Sequence, residues 1–220
     1  MTQFMNKREN IVTEAIDGLL MASGGRLIRL DGYPHIRVVL SIILGLGITT
    51  LLAGIASIIE HPKRYHWSWI HMGWVVWALI SIVTFWWWEF RLIAIARWTF
   101  GAYLFVISYC SLFFMLSTLL FPKDVREYGS YEGYLLHRRP WFFGLIALMT
   151  LLDLVDTAIK GASRWQALGA AYPIHTVLML VIAVLGVTLS GRRAQLLLVA
   201  AALVYQIGYF AAEYFTLTSG

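Results

Sequence analysis

Six long apolar runs are separated by short polar stretches. They lie at 38–60, 68–89, 98–121, 141–160, 172–190 and 194–216. At ~1.5 Å rise per residue, about 20 helical residues cross a ~30 Å hydrocarbon layer. Each run is long enough to do so. The pattern predicts an all-α membrane protein, a bundle of about six transmembrane helices with an amphipathic N-terminal helix. An outer-membrane barrel would show alternating polarity in ~10-residue segments, a pattern this chain lacks.

Prolines and glycines mark where the runs stop and start. Pro62 and Pro122 follow the first and third runs, and Pro140 and Pro173 sit at the starts of the fourth and fifth. A proline costs least in a first helical turn, where its missing N–H has no partner anyway. Gly161 and Gly191 follow the fourth and fifth runs, a common place for a helix to end. The expected organisation is a polar segment at 1–37, a membrane domain at 38–216 and a tail at 217–220.

Within the first segment, "NIVTEAIDGLLMA" sets Ile11, Val12, Ala15, Ile16, Leu19 and Leu20 against Asn10, Thr13, Glu14 and Asp17. This predicts a short amphipathic helix, lying on the membrane surface or packed on the protein's own loops. About 36 mostly polar residues precede the first run, so that run is expected to stay as an anchor and not to be cleaved as a leader. The longest connection, 122–140, carries Tyr128, Tyr131 and Tyr134 and both charge signs. It is expected to form an interfacial elbow or short helix.

Composition agrees with the pattern. The chain is 60% hydrophobic and 13% charged, whereas soluble domains are nearer one half and one quarter. The net charge of +5 falls in the loops and suits anionic lipid headgroups. It does not indicate nucleic acid. The single cysteine, Cys110, excludes an intrachain disulfide. Lysine and arginine set membrane orientation. Nine fall on the side of the termini and eight on the other, a bias that places the termini inside by a narrow margin. The pattern of helices looks like that of many small bacterial inner-membrane proteins, so a multi-pass cell-membrane location is expected.

Within the first run, Ser41, Gly45, Thr49, Ala53 and Ser57 recur every four residues. Small residues let helix backbones approach closely in lipid. The seam predicts close packing in the bundle or across a subunit contact, so a homo-oligomer or another membrane protein is the expected partner besides the lipid bilayer. In the second run, Trp69 and Trp87 lie about 27 Å apart along a helix. They read as markers of the two interfaces. Trp74, Trp77, Ser81, Thr84 and Trp88 share a face that is expected to pack inward.

Ionisable residues inside the runs are the strongest pointers to function, because burying them in lipid is costly. The fourth run reads "TLLDLVDTAIK" and places Thr150, Asp153, Thr157 and Lys160 on one helical face. Asp156 and Lys160 form an i, i+4 pair in the favourable order. Asp153 lies roughly 12 Å inside Gly161, deeper than any other acid in a run. With six spans, Asp153, Asp156, His175, Glu213, Glu89, Arg91, Arg97 and Lys160 gather toward one leaflet; Gln206 shares a face with Glu213. Such a cluster could form an ion or substrate pathway or a structural salt-bridge network. The candidate pathway residues are Asp153, Asp156, His175, Gln206, Glu213 and Arg97.

Residues 60–74, "EHPKRYHWSWIHMGW", draw the eye with His61, His66 and His71. Positions five apart differ by about 140° on a helix. These histidines therefore share no face and read as a polar elbow. No phosphate loop, GxGxxG, HExxH, CxxC or nucleophile elbow occurs. No cofactor or metal is implied. The expected function is a small transporter or channel for an ion or small solute. A non-transporting subunit, sensor or effector working by helix association is the alternative, and an intramembrane enzyme the third reading.

Overall fold

The computed structural model describes residues 35–89, 92, 99–160 and 166–218, excepting the side chains of 213–218. The amphipathic amino-terminal segment, Arg91 and Arg97 lie outside the described residues, as does the Glu213 side chain. The main helices among the described residues are, in order, α1 (His35–Glu60), α2 (Trp69–Glu89), α3 (Phe100–Leu120), α4 (Tyr131–His137), α5 (Arg139–Ile159), α6 (Ala171–Thr188) and α7 (Arg192–Thr218). All but α4 are long and apolar enough to cross a membrane, and no strand occurs among the described residues. The protein is an all-α, multi-pass membrane bundle.

Local sequence accounts for the ends. α1 stops one residue before His61 and two before Pro62, and α3 stops two residues before Pro122. Thr99 caps α3 by accepting from the Ala102 N–H at 3.2 Å. Pro140 opens α5. The last carbonyls of α6 would be orphaned, but Gln195 Nε2 donates to Gly186 O at 2.9 Å and to Leu189 O at 2.6 Å.

α2 packs against α3 and α7; α5 packs against α3 and α6. Trp74 is fully buried between them, its ring 5.4 and 5.1 Å from Phe142 and Phe143. Apolar residues such as Leu197 and Val204 stay exposed on the outside, as a lipid-facing surface requires.

Within the bundle, α1 packs through a stripe other than its four-residue seam. Its buried stripe is Ile36, Leu40, Leu44, Gly47, Leu51, Gly54 and Ile58. Of the predicted seam, Thr49 and Ala53 are exposed, Ser41, Gly45 and Ser57 are half-buried, and a Cβ on Gly45 would meet open space. The reason is geometric. A strict four-residue repeat drifts about 40° per step around a helix of ~3.6 residues per turn, so five such positions wind away from any one neighbour. Alternating steps of three and four stay on one face. Close approach runs instead through Gly47, where a Cβ would lie 3.2 Å from Ser117 Oγ, and through Gly54, which is pressed against the Phe121 ring.

The 122–140 connection folds as a 3-10 turn (Arg126–Tyr128) and α4, capping one end of the bundle. Glu132 on α4 ties two other helices. It accepts from Ser68 Oγ at 2.5 Å and from Arg192 Nε and Nη2 at 2.6 and 3.3 Å. These bonds, that of Arg192 first, hold the Glu132 carboxyl below the usual carboxylate range. His71 lies beneath α4, 1% exposed, its ring stacked 5.1 Å from Tyr131. Its Nε2 is 2.7 Å from the Leu120 carbonyl at the end of α3. A carbonyl only accepts, so Nε2 carries the proton. His71 lies within α2, as its place in the second run implies, and fastens α2 to α3.

Candidate functional site

The opposite end holds two polar groups, both organised by α5. Asp156 and Lys160, four apart on one side of α5, bond to each other, and Asp153 and Thr157, also four apart, both bond to Tyr172.

The first group is a buried ion triad. Lys160 Nζ lies 2.6 Å from Asp156 Oδ2 and 2.7 Å from Glu89 Oε1 at the end of α2. The three side chains are between 3% and 6% exposed. Two carboxylates therefore share one ammonium. The second oxygen of each, Glu89 Oε2 and Asp156 Oδ1, is buried without a hydrogen-bond partner among the described residues. Buried charge is tolerated when paired and hydrogen-bonded, and here the pairing is incomplete. The triad can hold an additional proton. No group of three or more histidine, cysteine, aspartate or glutamate side chains with metal-holding geometry occurs among the described residues.

The second group lines a cavity of about 100 Å³ between α2, α3, α5, α6 and α7. That is room for several water molecules. Asp153, His175 and Gln206 all line it, as do Ser81, Thr84 and Thr150. Asp153 accepts from Tyr172 Oη at 2.7 Å and from Tyr109 Oη at 3.5 Å. Tyr172 in turn accepts from Thr157 Oγ1 at 2.9 Å. His175 stacks 4.2 Å from Tyr209, with Nδ1 3.1 Å from Tyr205 Oη. Gln206 Nε2 donates to Ser81 Oγ at 2.9 Å, which leaves Gln206 Oε1 buried without a donor. Trp77 Nε1, another lining group, is a buried donor without an acceptor. The remaining wall is largely aromatic, contributed by Phe85, Trp88, Phe113 and Phe210.

Of the candidate pathway residues, the structure brings Asp153, His175 and Gln206 to one cavity, supplied by three different helices. It turns Asp156 away, into the triad. Arg97 and the Glu213 side chain fall outside the described residues. The inward face expected on α2 is found: Trp77, Ser81, Thr84 and Trp88 line the cavity and Trp74 is buried. Sequence reasoning missed Tyr109 and Tyr172, the two hydroxyls on Asp153. The available signals were weak: Tyr109 continues a four-residue aromatic row from Phe105 to Phe113, and Tyr172 directly precedes Pro173. No protein-family model, no curated protein and no solved structure matches the chain.

Proposed function

We propose that the protein moves a small cation or a proton across the membrane by way of this cavity, with Asp153 as the carboxylate that receives it. The observation that carries the reading is the convergence of Asp153, His175 and Gln206 from α5, α6 and α7 on one cavity inside the bundle. Ionisable residues facing the interior of a membrane bundle mark ion and proton pathways. Asp153 is also held ready. Tyr172 and Tyr109 orient its carboxylate at the cavity. His175 and Gln206 supply the other polar surfaces along the path. The triad of Glu89, Asp156 and Lys160, one turn further along α5, offers a second place to hold a proton.

The test is flux in proteoliposomes. Asp153→Asn preserves shape and still accepts from Tyr172 through its amide oxygen, so the fold should survive. Cation or proton flux should fall to the level of empty vesicles. Flux equal to that of the unaltered protein would remove Asp153 from the pathway.

A further inference from the structure

We propose that the cavity takes a small organic ammonium ion bearing at least one N–H, about the size of methylammonium. The inference names the ligand class of the site proposed above. It rests on that reading for passage across the membrane, though not for binding.

The wall comes first. Phe85 lies 4.9 Å from Tyr109 and 4.6 Å from Phe113, and Trp88 lies 5.7 Å from Phe210, so these rings form connected surfaces around the space. Aromatic faces attract cations and favour those that shed water easily. An alkali-metal ion needs a shell of oxygens to replace its hydration, and beyond Asp153, Gln206 and the hydroxyls of Ser81, Thr84 and Thr150 this wall is largely rings. An alkylammonium ion places C–H and N–H groups against those faces without that loss.

The polar atoms come next, and their roles can be assigned. Ser81 Oγ donates its proton to the Trp77 carbonyl at 2.8 Å. It can therefore only accept from Gln206, which puts the amide nitrogen toward Ser81 and leaves Oε1 as the open acceptor. Gln206 is 4% exposed, so no bulk water reaches this oxygen easily. A buried acceptor that lacks a donor fits an N–H from a ligand. Asp153 brings a carboxylate to the same cavity. The indole N–H of Trp77 needs an acceptor, which an ammonium lacks. A water molecule carried beside the cation meets that need.

Size sets the upper limit. A cavity of roughly 150 Å³ accommodates benzene. About 100 Å³ seats only a handful of heavy atoms, which suits ammonium or methylammonium with one water.

The experiment titrates the purified full chain in detergent with methylammonium chloride by calorimetry, at constant ionic strength. Sodium and tetramethylammonium chlorides serve as parallel ligands, and uptake of radiolabelled methylammonium is measured in proteoliposomes. Saturable binding of methylammonium is expected, with neither sodium nor tetramethylammonium competing. Gln206→Met should weaken binding by about tenfold through loss of the acceptor, with an unchanged melting temperature. Should that variant fail to fold, Trp88→Leu reads the aromatic wall independently and should also weaken binding. Absence of saturable methylammonium binding, or equal competition by sodium, overturns the ligand class. Asp153-dependent proton or sodium flux without methylammonium binding overturns the ligand class alone and leaves the transport reading standing. Binding without uptake upholds the ligand class and overturns transport.

Discussion

The two ends of the bundle treat buried polar atoms in opposite ways. Under α4, Ser68, His71, Glu132 and Arg192 meet partners on neighbouring helices, with distances from 2.5 to 3.3 Å. Around Asp153 and Lys160, Glu89, Asp156, Gln206 and Trp77 each keep one buried polar atom without a partner among the described residues. A buried unpartnered group costs about 1–3 kcal/mol, so the second end is where stability is given up. The first end is built to fasten helices. The second keeps polar atoms that the protein itself does not partner among the described residues. Trp74 also has an unpartnered indole N–H, but it is a single neutral donor deep in packed rings. The comparison reverses the visual impression of the sequence, in which the histidine-rich elbow looks chemical and "LLDLVDTAIK" looks plain.

The strongest way to break this contrast is to remove the charge at the centre of the triad. Lys160→Met leaves two buried carboxylates facing each other without their ammonium. Removing one partner from a buried ion pair costs about 3–5 kcal/mol. A large drop in melting temperature in detergent is expected, and adding Glu89→Gln and Asp156→Asn should recover much of it. A small drop would mean that the triad is already compensated and that the two ends do not differ as argued.

The next largest effect is expected at the fastened end. His71→Ala removes the bond to Leu120 and the rings' packing on Tyr131 and Phe121. A lost hydrogen bond and a new void together suggest about 2–4 kcal/mol. Thermal melting should record the loss, while flux per folded molecule in proteoliposomes should match the unaltered protein. If flux disappears while the fold persists, His71 belongs to the pathway and the contrast fails.

Why the spans were readable and their contacts were not follows from what each depends on. Span length and the stops at Pro62, Pro122 and Pro140 are local properties, and each helix begins and ends within a few residues of its predicted limits. Asp153 was recognisable because depth along a helix is also local. Its partners Tyr109 and Tyr172 depend on how α3 and α6 are rotated against α5, which no single helix encodes. The packing stripe of α1 was hidden for a related reason: a repeat of four looks regular in one dimension but winds off the face that α1 packs into the bundle. The α4 clamp was hidden because it needs Glu132 and Arg192, 60 residues apart, to meet.

The smallest predicted effect refines what fastening means. Arg192 is 74% exposed, so its pair with Glu132 belongs among solvent-screened ion pairs, which contribute little. Glu132→Gln should therefore lower the melting temperature only slightly at neutral pH. The pH dependence has a definite sign. Arg192 and Ser68 hold the Glu132 carboxyl below its unfolded value, so its contribution is present above the ordinary carboxylate pKa and fades as pH falls through the lowered one. Hydrogen exchange of α4 amides, compared between neutral and mildly acidic buffer, should show α4 loosening in acid in the unaltered protein. The difference should vanish in Glu132→Gln, which carries no titrating carboxylate there. If the acid loosening persists undiminished in that variant, α4 is held by the rings of Tyr131, Tyr65 and His71 alone, and the fastened end owes its order to packing and not to its paired polar atoms.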